Sequence, residues 1–299
     1  MTREMDDASP LERYTRASES ASGRIIAAYS TSFGTATKLL GPAHRKHIRN
    51  IYGLVRVADE IVDGVAEEAG LPVAEQHAEL TLLETETLRS VDAGFSSNPI
   101  IHAFAHTARA AQIDAELVVP FFASMRTDLE VAEPATGRLC FGERDHADYV
   151  YGSAEVIGLM CLKVFVRDME VTGSEMNRLE HGARRLGAAF QNVNFLRDLA
   201  DDNARLGRSY LSSAGTIDEE QKHQWVVTIN EQLHDASEVL PLLPKDSQLA
   251  VAGALSLFRK LNERIEETPI EELYRRRVRV SGPEKALLIA RAALELAAR

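Results

Sequence analysis

Within IRNIYGLVRVADEIVDGV, residues 48–65, four side chains able to do chemistry recur at steps of four, three and four: Tyr52, Arg56, Asp59 and Asp63. On a helix these steps place all four along one side. Ile51, Leu54, Val55, Ala58, Ile61 and Val62 cover much of the remainder, and a helix this apolar is largely enclosed. Its polar stripe must face a cavity or partner charges, because unpaired buried carboxylates are prohibitively costly. A second segment, LGAAFQNVNFLRDLADDNARLGR at 186–208, repeats the arrangement. There Gln191, Asn194, Asp198 and Asp202 step by three, four and four, Arg205 and Arg208 continue beyond them, and Phe190, Val193, Leu196, Leu199 and Ala200 are apolar.

Each segment presents Asp-x-x-x-Asp. Carboxylates four apart sit one helical turn apart and point the same way, so oxygens of both can converge on one site. Mg²⁺ demands octahedral oxygen ligation, keeps several waters, and is held by one or two carboxylates plus substrate phosphate oxygens. Two such helices facing each other would clamp a diphosphate, with Arg56, Arg197, Arg205 and Arg208 neutralising its remaining charge. The metal would act as a Lewis acid on the leaving diphosphate. A single Asp-x-x-x-Asp pair is most simply a solvated helix face. Two pairs, each on an otherwise apolar helix with arginines beside it, leave both the metal–diphosphate and the solvated-face readings open.

The rest of the chain indicates what must position these stripes. It has 299 residues, 45% apolar and 26% charged, in the ordinary globular range and long enough to bury a core unaided. Apolar residues recur at spacings of three and four, and strand-like alternation is scarce. The pattern predicts helices over about 11–38, 43–66, 73–90, 98–110, 114–130, 145–168, 173–205, 218–238, 246–267 and 282–298. Gly/Pro turn signals separate them, and no repeat of solenoid length occurs. The expected fold is all-α, one domain over residues 1–299, with 1–15 a flexible N-terminus. Lys and Arg number 34 against 45 Asp and Glu, a net charge of −11, which argues against nucleic acid as a partner. Cys140 and Cys161 cannot make a disulfide framework and fit a reducing cytoplasm. The apolar stretches 117–125 and 156–166 are shorter than the ~18–20 residues of a bilayer span.

Five blocks carry a resemblance: YSTSFGTATKLL (29–40), IYGLVRVADEIVDGV (51–65), YVYGSAEVIGLM (149–160), RRLGAAFQNVNFLRDLADDNARLGRSYL (184–211) and RRRVRVSGPEKALLIARAAL (275–294). In order and spacing they resemble the squalene/phytoene synthase family, and RRVRVS at 276–281 leans toward its phytoene synthase branch. The resemblance implies an isoprenoid-synthase helical bundle around a central apolar cavity, with the two Asp-rich helices at its mouth. It implies a head-to-head (1'-1) condensation of two geranylgeranyl diphosphates through a cyclopropylcarbinyl diphosphate to phytoene, releasing diphosphate, in carotenoid biosynthesis. Mg²⁺, or Mn²⁺, is the implied cofactor. The thirty-carbon alternative is a squalene, dehydrosqualene or hydroxysqualene synthase using farnesyl diphosphate, and a non-catalytic helical assembly protein is a more remote one.

Residue by residue, Asp59, Asp63, Asp198 and Asp202 match the family's metal-binding carboxylates, and Asn194 an amide that helps ligate metal or diphosphate. Tyr52, Arg56, Gln191 and Arg197 match diphosphate-contacting positions. Ser30, Ser32 and Phe33 match the S-x-S-F of the first diphosphate pocket. Tyr149 and Tyr151 match a Y-x-Y pair near the reacting carbons, where a ring face can stabilise a cation. Arg205, Arg208 and Tyr210 fall in the block that binds substrate. Three departures stand out: Glu60 where a further Asp is common, Ser212 where Pro is usual, and Glu155 where many members have Gly. The Glu155 carboxylate faces the active site or is rotated away, and both readings are open.

Other signals are weaker. His102 and His106 have zinc-pair spacing but no third ligand, and His44 and His47 are expected at a solvated helix start. The run Arg275-Arg276-Arg277 with Arg279 reads as a structural or phosphate-facing cluster. No Gly-rich dinucleotide motif follows a strand, and no NADPH is expected. The expected partners are prenyl diphosphates, with loose contact at the inner face of the cell membrane and a downstream carotenoid desaturase.

Overall fold

A computed structural model describes residues 8–30, 32–130, 139–201 and 208–298. Capping sets many helix starts. Helix α1 (Pro10–Tyr29) opens with a capping box in which the Glu12 amide donates to Ser9 Oγ at 3.2 Å and the Ser9 amide to Glu12 Oε2 at 2.7 Å. The expected flexible N-terminus is therefore corrected: residues 10–15 are helical because this box and Pro10 at the first helical position nucleate α1. The expected helix over 11–38 is two, since Ser30 is extended and α2 spans Ser32–Lys38.

Helix α3 (Pro42–Val62) is followed by the short α4 (Val65–Glu68), then α5 (Val73–Ala93), α6 (Pro99–Ala111) and α7 (Ala115–Glu130). Helix α8 (Glu143–Val150) runs through a π-helical turn, Tyr151–Glu155, into α9 (Val156–Val166). Helix α10 (Gly173–Arg197) precedes the one-turn α11 (Leu199–Asp201). Helices α12 (Glu219–Glu238), α13 (Lys245–Glu267), α14 (Ile270–Leu273) and α15 (Gly282–Ala297) complete the chain. The only pairing of extended chain among the described residues is between β1 (Leu139–Cys140) and β2 (Arg208–Ser209), two residues each and parallel. The fold is all-α.

Helices α3, α7, α9, α10, α12 and α13 pack around one hydrophobic cluster, with Ile51, Leu54, Phe104, Phe121, Phe122, Val193, Leu196 and Leu255 almost fully buried. Close approach of α9 and α10 requires glycine: a Cβ on Gly158 would strike the Ala183 carbonyl, and one on Gly187 the Ala154 carbonyl. The π turn joins α8 and α9 into a rod over Glu143–Val166 that contains an 18-residue window of mean hydropathy 1.5. That rod is longer than the apolar stretch alone suggested. It is 56% buried in the window and packs on α7 and α10, so its apolarity is accounted for by the core.

The histidines differ from expectation. His44 and His47 are buried, because α3 carries them inward against α6 and α9. His47 Nδ1 lies 2.8 Å from Thr107 Oγ1, and burial, then Arg167 and Lys46, push its pKa down to about 3. His102 Nε2 lies 2.9 Å from Thr15 Oγ1, and His106 faces Glu19.

Candidate active site

A cavity of about 560 Å³ lies inside the bundle. Its walls are mostly apolar, including Ile48, Val55, Phe121, Met125, Leu162 and Val239. Its polar lining includes Tyr52, Arg56, Asp59 and Asp63 from the α3 segment, Gln191, Asn194, Arg197 and Asp198 from the α10 segment, and Arg277. Both stripes read from the sequence therefore face one space.

On the α3 rim, Arg56 Nη1 donates to Asp59 Oδ2 at 2.7 Å and Nη2 pairs with Glu60. The guanidinium also lies 4.4 Å over the Tyr29 ring, and its Nε is buried without a hydrogen-bond partner. Glu60 thus serves the rim as a counter-charge to Arg56. Tyr52 is hydrogen-bonded to Ser30, and burial raises its hydroxyl pKa. Asp59 is pushed up to about 7, first by burial and next by the Asp63 carboxylate, which outweigh the opposing effect of Arg56.

On the α10 rim, Asp198 is held by two arginines. Arg197 donates from Nε to Oδ1 at 3.0 Å and from Nη2 to Oδ2 at 2.7 Å. Arg277 places Nε 2.7 Å from Oδ1 and donates from Nη2 to Oδ2 at 3.1 Å. Both are two-point contacts of the kind guanidinium makes with carboxylate or phosphate. Arg277 is the member of the arginine run that lines the cavity.

The helices stop where the carboxylates are needed. Asp63 caps the C-terminus of α3 and Asp198 that of α10, each amide donating one turn back at 2.9 Å. The expected helices 43–66 and 173–205 are therefore shorter. Gly64, at φ 148°, lets the chain turn immediately after Asp63. Two helix C-termini and their carboxylates consequently meet at the cavity mouth. Each C-terminal dipole end carries roughly half a negative charge, so the mouth favours cations. With burial and the neighbouring Asp63 carboxylate outweighing Arg56 at Asp59, the residues present fit a divalent cation. Among the described residues no three carboxylates, histidines or cysteines gather at ligation distance.

Deeper in, Tyr149 and Tyr210 both line the cavity, and their hydroxyls donate to Asp128 Oδ2 and Oδ1, each at 2.7 Å. Asp128 is 2% exposed. Phe195 stacks on Tyr210 with centroids 4.3 Å apart, and Phe141 packs against both tyrosines. Burial, followed by Asp128, holds the Tyr149 hydroxyl far above its ordinary pKa, so it stays protonated. Asp128 was not singled out from the sequence. Its one signal there is a carboxylate in the last turn of the apolar helix α7, which nothing local distinguishes from a solvated residue.

Tyr151 is a correction to the expected tyrosine pair. It is not among the residues lining the cavity, and its ring lies 5.2 Å beneath the Arg184 guanidinium. Arg184 Nε also donates to Glu155 at 2.6 Å. Two residues apart on a helix, Tyr149 and Tyr151 point to nearly opposite sides, and Tyr151 shares the Arg184 side with Glu155. Of the remaining expected residues, Ser32 and Phe33 begin α2, and Arg208 lies in β2. Asp202 and Arg205 lie outside the described residues.

Comparison with known proteins places this geometry. The profile described as squalene/phytoene synthase matches residues 26–221. The chain is 29% identical over 279 residues to a 15-cis-phytoene synthase of Paracoccus sp., covering 87% of this chain and 86% of that protein. It is 28% identical over 284 residues to a phytoene synthase of Pseudescherichia vulneris, with 87% and 86% covered. Among solved structures, a dehydrosqualene synthase with bound ligand superposes with TM-score 0.75 at 19% identity, covering 97% of this chain and 100% of that one. A squalene synthase of Alicyclobacillus acidocaldarius gives 0.68 at 19%, over 88% and 96%. At those identities the structural likeness speaks for the shared fold.

Proposed function

We propose, from the premise that this chain belongs to the squalene/phytoene synthase family, that it joins two geranylgeranyl diphosphates head to head. The product is phytoene, formed through a cyclopropylcarbinyl diphosphate with release of diphosphate. The observation that carries this reading is a mostly apolar cavity lined at one part by Asp59, Asp63 and Asp198 with Arg56, Arg197 and Arg277. The relatives named phytoene synthase support the forty-carbon substrate. The solved neighbours named dehydrosqualene and squalene synthase favour the thirty-carbon reading as the second one.

Asp59, Asp63 and Asp198, with Asn194 beside them and Asp202 implied by the motif, would hold Mg²⁺ or Mn²⁺. Such a cation supplies Lewis-acid stabilisation of the departing diphosphate. The chain's own groups do the rest. Arg56, Arg197 and Arg277 exchange carboxylate partners for phosphate oxygens. The apolar walls keep water from an allylic cation. Tyr149, protonated and aimed at Asp128, presents its ring to that cation. We place the enzyme at the inner face of the cell membrane in loose contact with lipid, since substrate tails and product are oily, with a desaturase-class enzyme consuming the product.

Incubating pure protein and Mg²⁺ with geranylgeranyl or farnesyl diphosphate, with and without NADPH, and identifying the products tests this reading. Phytoene without NADPH is the expected result. A clear preference for farnesyl diphosphate, or a strict need for NADPH, overturns it.

A further inference from the structure

Helix α15 is apolar around most of its circumference, yet only Ala292 in it is buried. Its inner side lies on α13, with Leu288 and Leu296 packed against the core. Its outer side repeats Leu287, Ala290, Arg291, Leu294 and Ala298 at helical spacing, all exposed. Leu294 is 71% exposed, the most of any large hydrophobic among the described residues, and Leu287 is 51% exposed. Two large apolar side chains one above the other on an exposed face mark a surface that meets an apolar surrounding.

The charge on this segment identifies that surrounding. Residues 275–291 hold six basic side chains and one glutamate in a chain of net charge −11. Arg275, Arg276, Arg279 and Arg291 are exposed, Arg276 with Glu272 as its ion-pair partner. A leucine stripe that carries Arg291 and follows an arginine-rich segment in sequence fits an anionic lipid surface, where the leucines enter the acyl boundary and the arginines reach lipid phosphates.

We propose that the outer face of α15, with the exposed arginines before it, is the surface by which this protein lies on an anionic bilayer. The proposal rests on the reading of a lipid-contacting enzyme and names the surface for it. The position suits the chemistry. Lys285 and Ile289 of α15 line a small cleft whose other walls, Ala36, Phe190 and Ala254, also line the reaction cavity. The docked face thus lies one helix away from the space where the oily product forms.

Flotation with phosphatidylcholine vesicles, with and without phosphatidylglycerol, tests the surface. Wild-type protein is expected to float with the anionic vesicles and to be released by high salt. Leu287→Glu/Leu294→Glu is expected to bind roughly tenfold or more weakly, since both apolar anchors are lost, while turning over substrate normally in detergent. Arg275→Glu/Arg276→Glu should lose the anionic preference by at least about fivefold for each charge. Variants that float as well as wild type overturn the α15 surface and leave membrane contact standing. Wild type that floats with neither vesicle overturns both, without touching the activity measured in detergent. A wild-type dimer in sedimentation equilibrium that the leucine variants dissolve would assign the face to self-association and overturn the proposal.

Discussion

The two rims of the cavity mouth perform related tasks with opposite charge balance. On α3, Arg56, Asp59, Glu60 and Asp63 come from consecutive turns, and one described arginine pairs with two of the three carboxylates. On α10, two guanidiniums converge on Asp198, one adjacent in sequence and one 79 positions later. Among the described residues the first rim sets one arginine among three carboxylates, which suits a cation. The second sets two arginines on one carboxylate, which suits phosphate. A diphosphate–metal complex placed between them would meet both.

The strongest way to break this contrast is to neutralise one carboxylate on each rim. Asp59→Asn and Asp198→Asn should each lower kcat by ~10³-fold or more, since either removes several kcal/mol of leaving-group stabilisation. Excess chelator should abolish wild-type turnover, and Mg²⁺ or Mn²⁺ should restore it. Their stabilities should move in opposite directions. Burial and Asp63 raise the folded pKa of Asp59 from the ordinary 3.8 to about 7, so the folded state binds the proton more tightly and loses stability as pH rises through that window. At pH 8 and without metal, Asp59→Asn should raise Tm by on the order of 3 °C. Asp198→Asn should lower Tm, because two arginines lose their shared counter-charge. Melting curves shifted the same way would refute the difference in charge balance.

Asp128 tests whether the tyrosine floor is independent of both rims. Asp128→Asn leaves one of two hydroxyls without its acceptor and should cost ~2 kcal/mol in denaturant unfolding. Tyr149→Phe should recover part of that loss when added to Asp128→Asn, and a fully additive double mutant would disprove the shared bond.

The pH response of the fold itself should be separable from that of the mouth. His47 has a folded pKa of about 3 against 6.5, so between those values the unfolded chain binds the extra proton and stability falls as pH drops. From pH 7 to pH 5 the loss should be ~2 kcal/mol. His47→Asn should flatten the urea midpoint over that range, and an unchanged slope would assign the response elsewhere.

Arg277→Lys carries the smallest expected effect, about tenfold in kcat/KM, because an ammonium keeps the charge and loses the two-point fork. Arg56→Lys should cost a similar factor. A neutral Arg277→Lys would mean that the α10 rim needs only Arg197.

Taken alone, the sequence determined which residues share a helix face. Steps of three and four put Tyr52, Arg56, Asp59 and Asp63 on one stripe and Gln191, Asn194 and Asp198 on another. The apolar residues around the first stripe required that it face a cavity or partner charges, while spacing alone left a solvated face open for the pair. Those inferences depend on helical periodicity, which operates within a few turns. Tertiary structure decided the matters that depend on distant partners or on where a helix breaks. It ended α3 and α10 at Asp63 and Asp198 and brought Arg277 across 79 positions. It set Asp128 beneath tyrosines 21 and 82 positions away. It set Tyr151 beneath Arg184, and it buried His47 against Thr107. A carboxylate or histidine on an amphipathic helix reads alike whether water or a buried partner faces it. Only the packing of the other helices settles which one does.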